Sequence, residues 1–122
     1  MRYSIKEGML SWLLHRLTGI GIFIFLIIHV MGAIYLKIGP EEWNHHVELF
    51  NTPFFRVAEV GLMGAILWHG LNGLRIIIID FSGIRTSHFA KFLFWIIVFL
   101  TILLMLPGTY ILLKPLFEGV AG

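Results

Sequence analysis

The sequence predicts an all-α membrane protein with three transmembrane helices, at about 9–36, 53–80 and 89–115, in one anchor domain spanning 1–122. Two observations carry this prediction. Hydrophobic residues make up 58% of the 122 and charged residues 13%, about half the roughly 25% of an average soluble chain. A body this small leaves much of its surface facing outward, so that surface must meet lipid or other apolar protein. The charges are also segregated: three long stretches contain no Asp, Glu, Lys or Arg, and short polar segments separate them.

The first stretch, Leu17 to Leu36, has 20 uncharged residues, which at 1.5 Å per residue match the roughly 30 Å hydrocarbon core of a bilayer. Its helix is expected to begin near Met9, because Leu10, Leu13, Leu14 and Leu17 keep a helical spacing. The run is too long for the apolar part of a signal peptide and no small-residue cleavage pattern follows, so this helix is expected to stay in the protein. The second stretch, Val60 to Leu74, is extended by Phe54, Phe55 and Val57 upstream and by Ile76 to Ile79 downstream, with Arg75 inside the span. The third, Phe92 to Leu113, holds 22 uncharged residues and Pro107, which is expected to kink the helix near its far end. Gly39-Pro40, Asn51-Thr52-Pro53 and Ser82-Gly83 punctuate two polar connections.

The absence of cysteine excludes a disulfide scaffold, thiolate metal sites and covalent haem attachment. Six histidines remain as candidate iron ligands. Nine basic residues spread through apolar sequence form no patch for nucleic acid, so no nucleic-acid partner is expected. Their distribution sets a topology instead. Arg2, Lys6, Arg16, Arg75, Arg85 and Lys91 belong to the N-terminal side and second connection, against Lys37, Arg56 and Lys114 on the other side. By the positive-inside rule the N-terminus faces the cytoplasm or matrix and the C-terminus lies outside.

Ionisable groups within a span are costly and mark functional sites. Ser11 and His15 share one helical face, and Trp12 and Arg16 share the next. Together they offer a hydroxyl, an imidazole, an indole N–H and a guanidinium for a lipid-borne ring or for a cofactor's carboxylates. The competing reading is an interfacial belt that meets only headgroups. His69 lies 11 residues from Asp80, roughly 16 Å inside that helix end and near mid-bilayer. Ala65 and Gly73 leave a smooth groove beside it, where a neighbouring helix or a flat macrocycle can approach. A histidine bonded to an adjacent helix would use the same groove. Arg75, about 9 Å nearer the cytoplasm, tips the balance toward a b-type haem with His69 as ligand and Arg75 near its carboxylates. His29 could ligate a second haem, though a hydrogen bond to a neighbouring helix is favoured. His45, His46 and His88 are expected to be solvated, and Gly61, Gly64, Gly70 and Gly73 to be buried against other helices.

His15-Arg16-Leu17-Thr18-Gly19 on the first helix and His69-Gly70-Leu71-Asn72-Gly73-Leu74-Arg75 followed by Asp80 on the second resemble the two marks of a known family. It is the cytochrome b membrane-anchor subunits of succinate dehydrogenase, and the likeness covers essentially the whole chain. The resemblance implies that His69 is an axial ligand to haem b, with the other ligand on a second membrane-anchor subunit that completes the helix bundle. It also implies that Arg16, His15 and Arg75 lie near the haem propionates. Arg16, Trp12, Ser11 and Asp80 would serve the quinone. The family's serine stands four residues before the arginine, where this chain has Trp12, with Ser11 one place earlier. A flavoprotein and an iron–sulfur subunit would deliver electrons from succinate, in a bacterial or archaeal cytoplasmic membrane or the mitochondrial inner membrane. A haem-free, fumarate reductase-like anchor and a small transporter are the alternatives.

Overall fold

A computed structural model describes residues 5–84 and 86–119, with side chains described from Gly8 onward. Arg2, Arg85 and the side chains of Lys6 and Glu7, which enter the charge count, lie outside the described residues. The described residues form four helices and no strand: α1 (Ile5–Ile38), α2 (Pro40–Leu49), α3 (Pro53–Ser82) and α4 (Ser87–Glu118). Three of them, over Gly8–Ile38, Pro53–Ser82 and Ser87–Glu118, are long and apolar enough to cross a bilayer. The expected spans are therefore present, each somewhat longer than expected. α4 continues as one element through Pro107 and Pro115.

Local chemistry explains the helix ends. Thr52 and Thr86 are N-caps whose hydroxyls accept from the backbone N–H of Phe55 and Phe89, each at 3.3 Å. Pro53 follows Thr52 at the first helical position, where a missing N–H costs nothing. Gly83 ends α3 in the left-handed region at φ 69°, where a side chain would be strained.

α3 is the central helix and packs against both α1 and α4. The α3–α4 seam is closed by Trp68, Phe94 and Ile97, with Leu14 of α1 and Leu71 and Val98 around them. Farther along the seam, Met105 lies against Gly64 and Met63 against Gly108, so each helix offers a thioether to a bare backbone on the other. Gly64 meets Met105 and Gly73 approaches His15, while no described residue of this chain lies within 4 Å of where a side chain would begin at Gly61 or Gly70.

The first connection is not a solvated loop. α2 starts with Pro40 and carries Glu41 and Glu42 in its first turn, where the helix dipole favours acid. It folds back on the end of α1. His46 is half-buried rather than solvated, stacked on Tyr35 at 4.6 Å and meeting Phe50 edge-on at 5.1 Å. His45 and His88 are exposed, as expected. The room for His46 comes from Gly32, where a Cβ would lie 2.8 Å from its Nε2. Gly32→Leu should therefore unseat α2 at a cost of about 1–3 kcal/mol. Hydrogen exchange should then rise in the α2 amides while protection at the α3–α4 seam stays unchanged.

Candidate functional site

A polar cluster joins the three long helices toward the end that carries the α1 N-terminus. Its centre is Asn72 of α3, whose exposure is 0%. The Asn72 Oδ1 accepts from Ser11 Oγ at 3.0 Å and from Arg75 Nη1 at 3.5 Å. Arg75, 5% exposed, also donates from Nη1 to Ser11 Oγ at 3.2 Å. Its Nε and Nη2 reach the Ala90 carbonyl of α4 at 3.3 and 3.2 Å. Its guanidinium carbon stands 5.7 Å from the centre of the Phe94 ring. One turn of α3 therefore places an amide toward α1 and a cation between α1 and α4. A buried polar group in an apolar bundle must be bonded internally, and this arrangement does so.

The other half of the Asn72 carboxamide faces His15. With Oδ1 occupied by two donors, Nδ2 donates to His15 Nδ1 at 3.2 Å. The His15 ring stacks on His69 with centroids 4.0 Å apart and planes 9° from parallel. His69 Nδ1 lies 3.1 Å from the His15 carbonyl oxygen and 3.2 Å from Thr18 Oγ1. A carbonyl only accepts, so Nδ1 of His69 carries the proton. Thr18 is free to accept as well, because its own proton goes to the Leu14 carbonyl at 2.7 Å. His69 is thereby held as the Nδ1–H tautomer with the lone pair on Nε2, an atom that makes no hydrogen bond among the described residues. The ring lies over Gly19, where a Cβ would come within 3.0 Å of its Cε1.

A histidine whose Nδ1–H is anchored to a carbonyl and whose Nε2 lone pair is uncommitted is in the state that ligates iron. The donor set thus fits a haem that takes one axial ligand from this chain. Among the described residues no group of three or more His, Asp or Glu side chains could hold a bare metal ion.

The structure brings together Ser11, His15, His69 and Arg75, whereas the helical spacing suggested only that Ser11 and His15 share a face. Ser11 and Arg75 turn into the bundle rather than outward. Trp12 and Arg16 form a separate pair on the outward face of α1, with the guanidinium 4.9 Å from the indole centre and Trp12 57% exposed. Asp80 is exposed at the end of α3. His29 is exposed on α1, tilted against Phe25 at 5.4 Å. Asn72 and Thr18 were not singled out by charge or metal-ligand chemistry. The available signal was a neutral amide within an uncharged span.

Arg75→Met should remove the charged donor that the Ala90 carbonyl, Ser11 Oγ and Asn72 Oδ1 share. Hydrogen bonds to a charged group are worth about 1.5–3 kcal/mol. A lowered unfolding temperature of the solubilised protein would show this, whereas an unchanged one would mean that the cluster adds no stability.

The succinate dehydrogenase/fumarate reductase transmembrane subunit family matches residues 1–106. The chain is 39% identical over 106 residues to the succinate dehydrogenase 2 membrane subunit SdhC of Mycobacterium tuberculosis, covering 87% of this chain and 77% of that protein. It is 28% identical over 78 residues to the succinate dehydrogenase hydrophobic membrane anchor subunit of Halobacterium salinarum, covering 63% of this chain and 60% of that one. A match over most of the chain, joined to three apolar spans, places this protein in the family of succinate dehydrogenase/fumarate reductase transmembrane subunits.

Proposed function

We propose that this chain, a single anchor domain, is the cytochrome b subunit of a succinate dehydrogenase, binding haem b through His69 and forming part of a quinone-reducing site. The observation that carries the proposal is the His69 imidazole: anchored at Nδ1, bearing its lone pair at Nε2, and set over Gly19. The haem, when bound, supplies a one-electron redox centre beside the quinone. A second anchor subunit would supply the other protein ligand to its iron. His15 and Arg16 would hold the propionates, with the buried Arg75 contributing its charge from within the bundle.

Succinate oxidation would occur on flavoprotein and iron–sulfur partners, which send two electrons to the quinone. The chain itself holds and polarises that quinone. Arg16, outward on α1 and steadied by Trp12, would stabilise negative charge developing on a quinone oxygen. Ser11 would support this surface from inside through Asn72, and Asp80 would stand at the route by which protons reach the reduced ring. The quinone leaves as the quinol after accepting two electrons and two protons. The N-terminus would face the cytoplasm or matrix. His29 would hydrogen-bond a neighbouring helix, or ligate a second haem if two are present.

In the purified complex, a reduced-minus-oxidised spectrum should show a b-type band that His69→Ala abolishes. A band unchanged in that variant would defeat the ligand assignment. No band in the unaltered complex, with quinone reduction intact, would favour a haem-free anchor. Arg16→Gln should lower quinone reduction by about 100-fold, the usual scale for losing one donor to a developing oxyanion. Succinate oxidation by a soluble dye should be unaffected, which separates a quinone-site defect from loss of the flavin chemistry.

A further inference from the structure

The two stacked imidazoles are bonded in opposite senses. His69 Nδ1 faces a carbonyl oxygen at 3.1 Å, whereas His15 Nδ1 faces the Asn72 Nδ2 at 3.2 Å. The Asn72 carboxamide cannot turn over without cost, because reversal would point its NH2 at the Arg75 guanidinium, a group with no acceptor, and would face Oδ1 to His15. We propose that Asn72 is a positioning residue that fixes His15 as the Nε2–H tautomer. His15 then presents an N–H donor to an acceptor-only oxygen, beside the iron-binding Nε2 of His69.

The inference extends the haem and quinone reading. The tautomer itself rests only on Asn72, Ser11, Arg75 and His15, and so stands or falls separately. Ser11 and Arg75 set the amide and the amide sets the His15 ring, while the His15 backbone carbonyl separately sets His69. Two independent sets of hydrogen bonds thus leave one imidazole an N–H donor and its neighbour with a free Nε2 lone pair. The oxygen that His15 would serve is a carboxylate or a quinone carbonyl, both of which only accept.

The test is nitrogen-15 NMR of the complex labelled at histidine, with any haem held in its diamagnetic low-spin ferrous state, and with His15 assigned by its loss in His15→Gln. In the unaltered complex His15 should show a protonated Nε2 and an unprotonated Nδ1. A protonated Nδ1 there overturns the proposal, and this measurement needs no Asn72 variant to fold. Asn72→Asp keeps the shape and makes both side-chain oxygens acceptors, so it should move the His15 proton to Nδ1. An unmoved proton in an assembled Asn72→Asp complex also overturns the proposal.

Function is read in Asn72→Leu, which adds no charge, with the b-type band confirming assembly. If the partner oxygen belongs to quinone, kcat/KM for quinone should fall by about tenfold, the scale of one hydrogen bond, with dye-linked succinate oxidation retained. If it belongs to a haem propionate, the haem midpoint potential should shift while the quinone KM stays. Neither change in the assembled complex overturns the positioning role. Absence of a b-type band in the unaltered complex would overturn the haem reading alone, because the His15 resonances still report the tautomer.

Discussion

The structure depends on how a buried amide and a buried cation are satisfied where water is scarce. In hydrocarbon an unbonded polar group costs several kcal/mol, so each must find its partner inside the bundle. Asn72 and Arg75 do this from one turn of α3, with Asn72 bonded to α1 and Arg75 bonded to both α1 and α4. Lateral association of helices in lipid has little hydrophobic drive, because the tails are as apolar as the side chains. Directional bonds such as these fix rotation and register more tightly than the Trp68–Phe94 contact can alone.

That constraint also orders the functional face. The hydrogen bonds that lock α1 to α3 end on the two imidazoles, so helix register and ligand orientation are set together. A shift of α1 by one residue would remove the His15 carbonyl from His69 Nδ1 and break the 4.0 Å stack. Gly19 and Gly73 allow this closeness: a Cβ at Gly19 would press on His69, and one at Gly73 would sit 3.8 Å from His15. Rigid helical placement of a ligand and its supporting bonds is what a site of defined geometry needs.

The three spans were legible because hydrocarbon thickness demands a minimum uncharged length, and Leu17–Leu36 and Phe92–Leu113 meet it directly. The helical spacing of Ser11 with His15 and of Trp12 with Arg16 also survived into real neighbours. α2 was missed because Glu41, Glu42, His45 and His46 suggested a solvated connection. Proline followed by acids is equally the opening of a short helix, and Gly32 gives its underside a seat. Asn72 carries no charge to mark it in the sequence, yet a neutral amide in a span faces the same demand for partners. Glycine spacing shows which residues share a face but not what lies opposite: Gly64 and Gly73 meet residues of this chain, whereas Gly61 and Gly70 meet none of those described.

The open surfaces are informative about the assembly. α1 is apolar along its length, yet Trp12, Leu17, Phe23, Ile27 and Met31 all remain outward, and α1 packs on α3 along only one side. Lipid can cover apolar side chains, but not equally well the exposed imidazole of His29, which meets only Phe25 among the described residues. An imidazole deep in a span is stabilised by a hydrogen-bonding partner, and none of the described residues hydrogen-bonds His29. At 3.6 residues per turn His29 falls in line with the buried Ser11, about five turns on, and not with the Trp12–Arg16 pair. On the proposed function, the group that covers His29 would therefore approach beside the α1–α3 seam, on the Ser11 side of α1 and apart from the surface that carries Arg16.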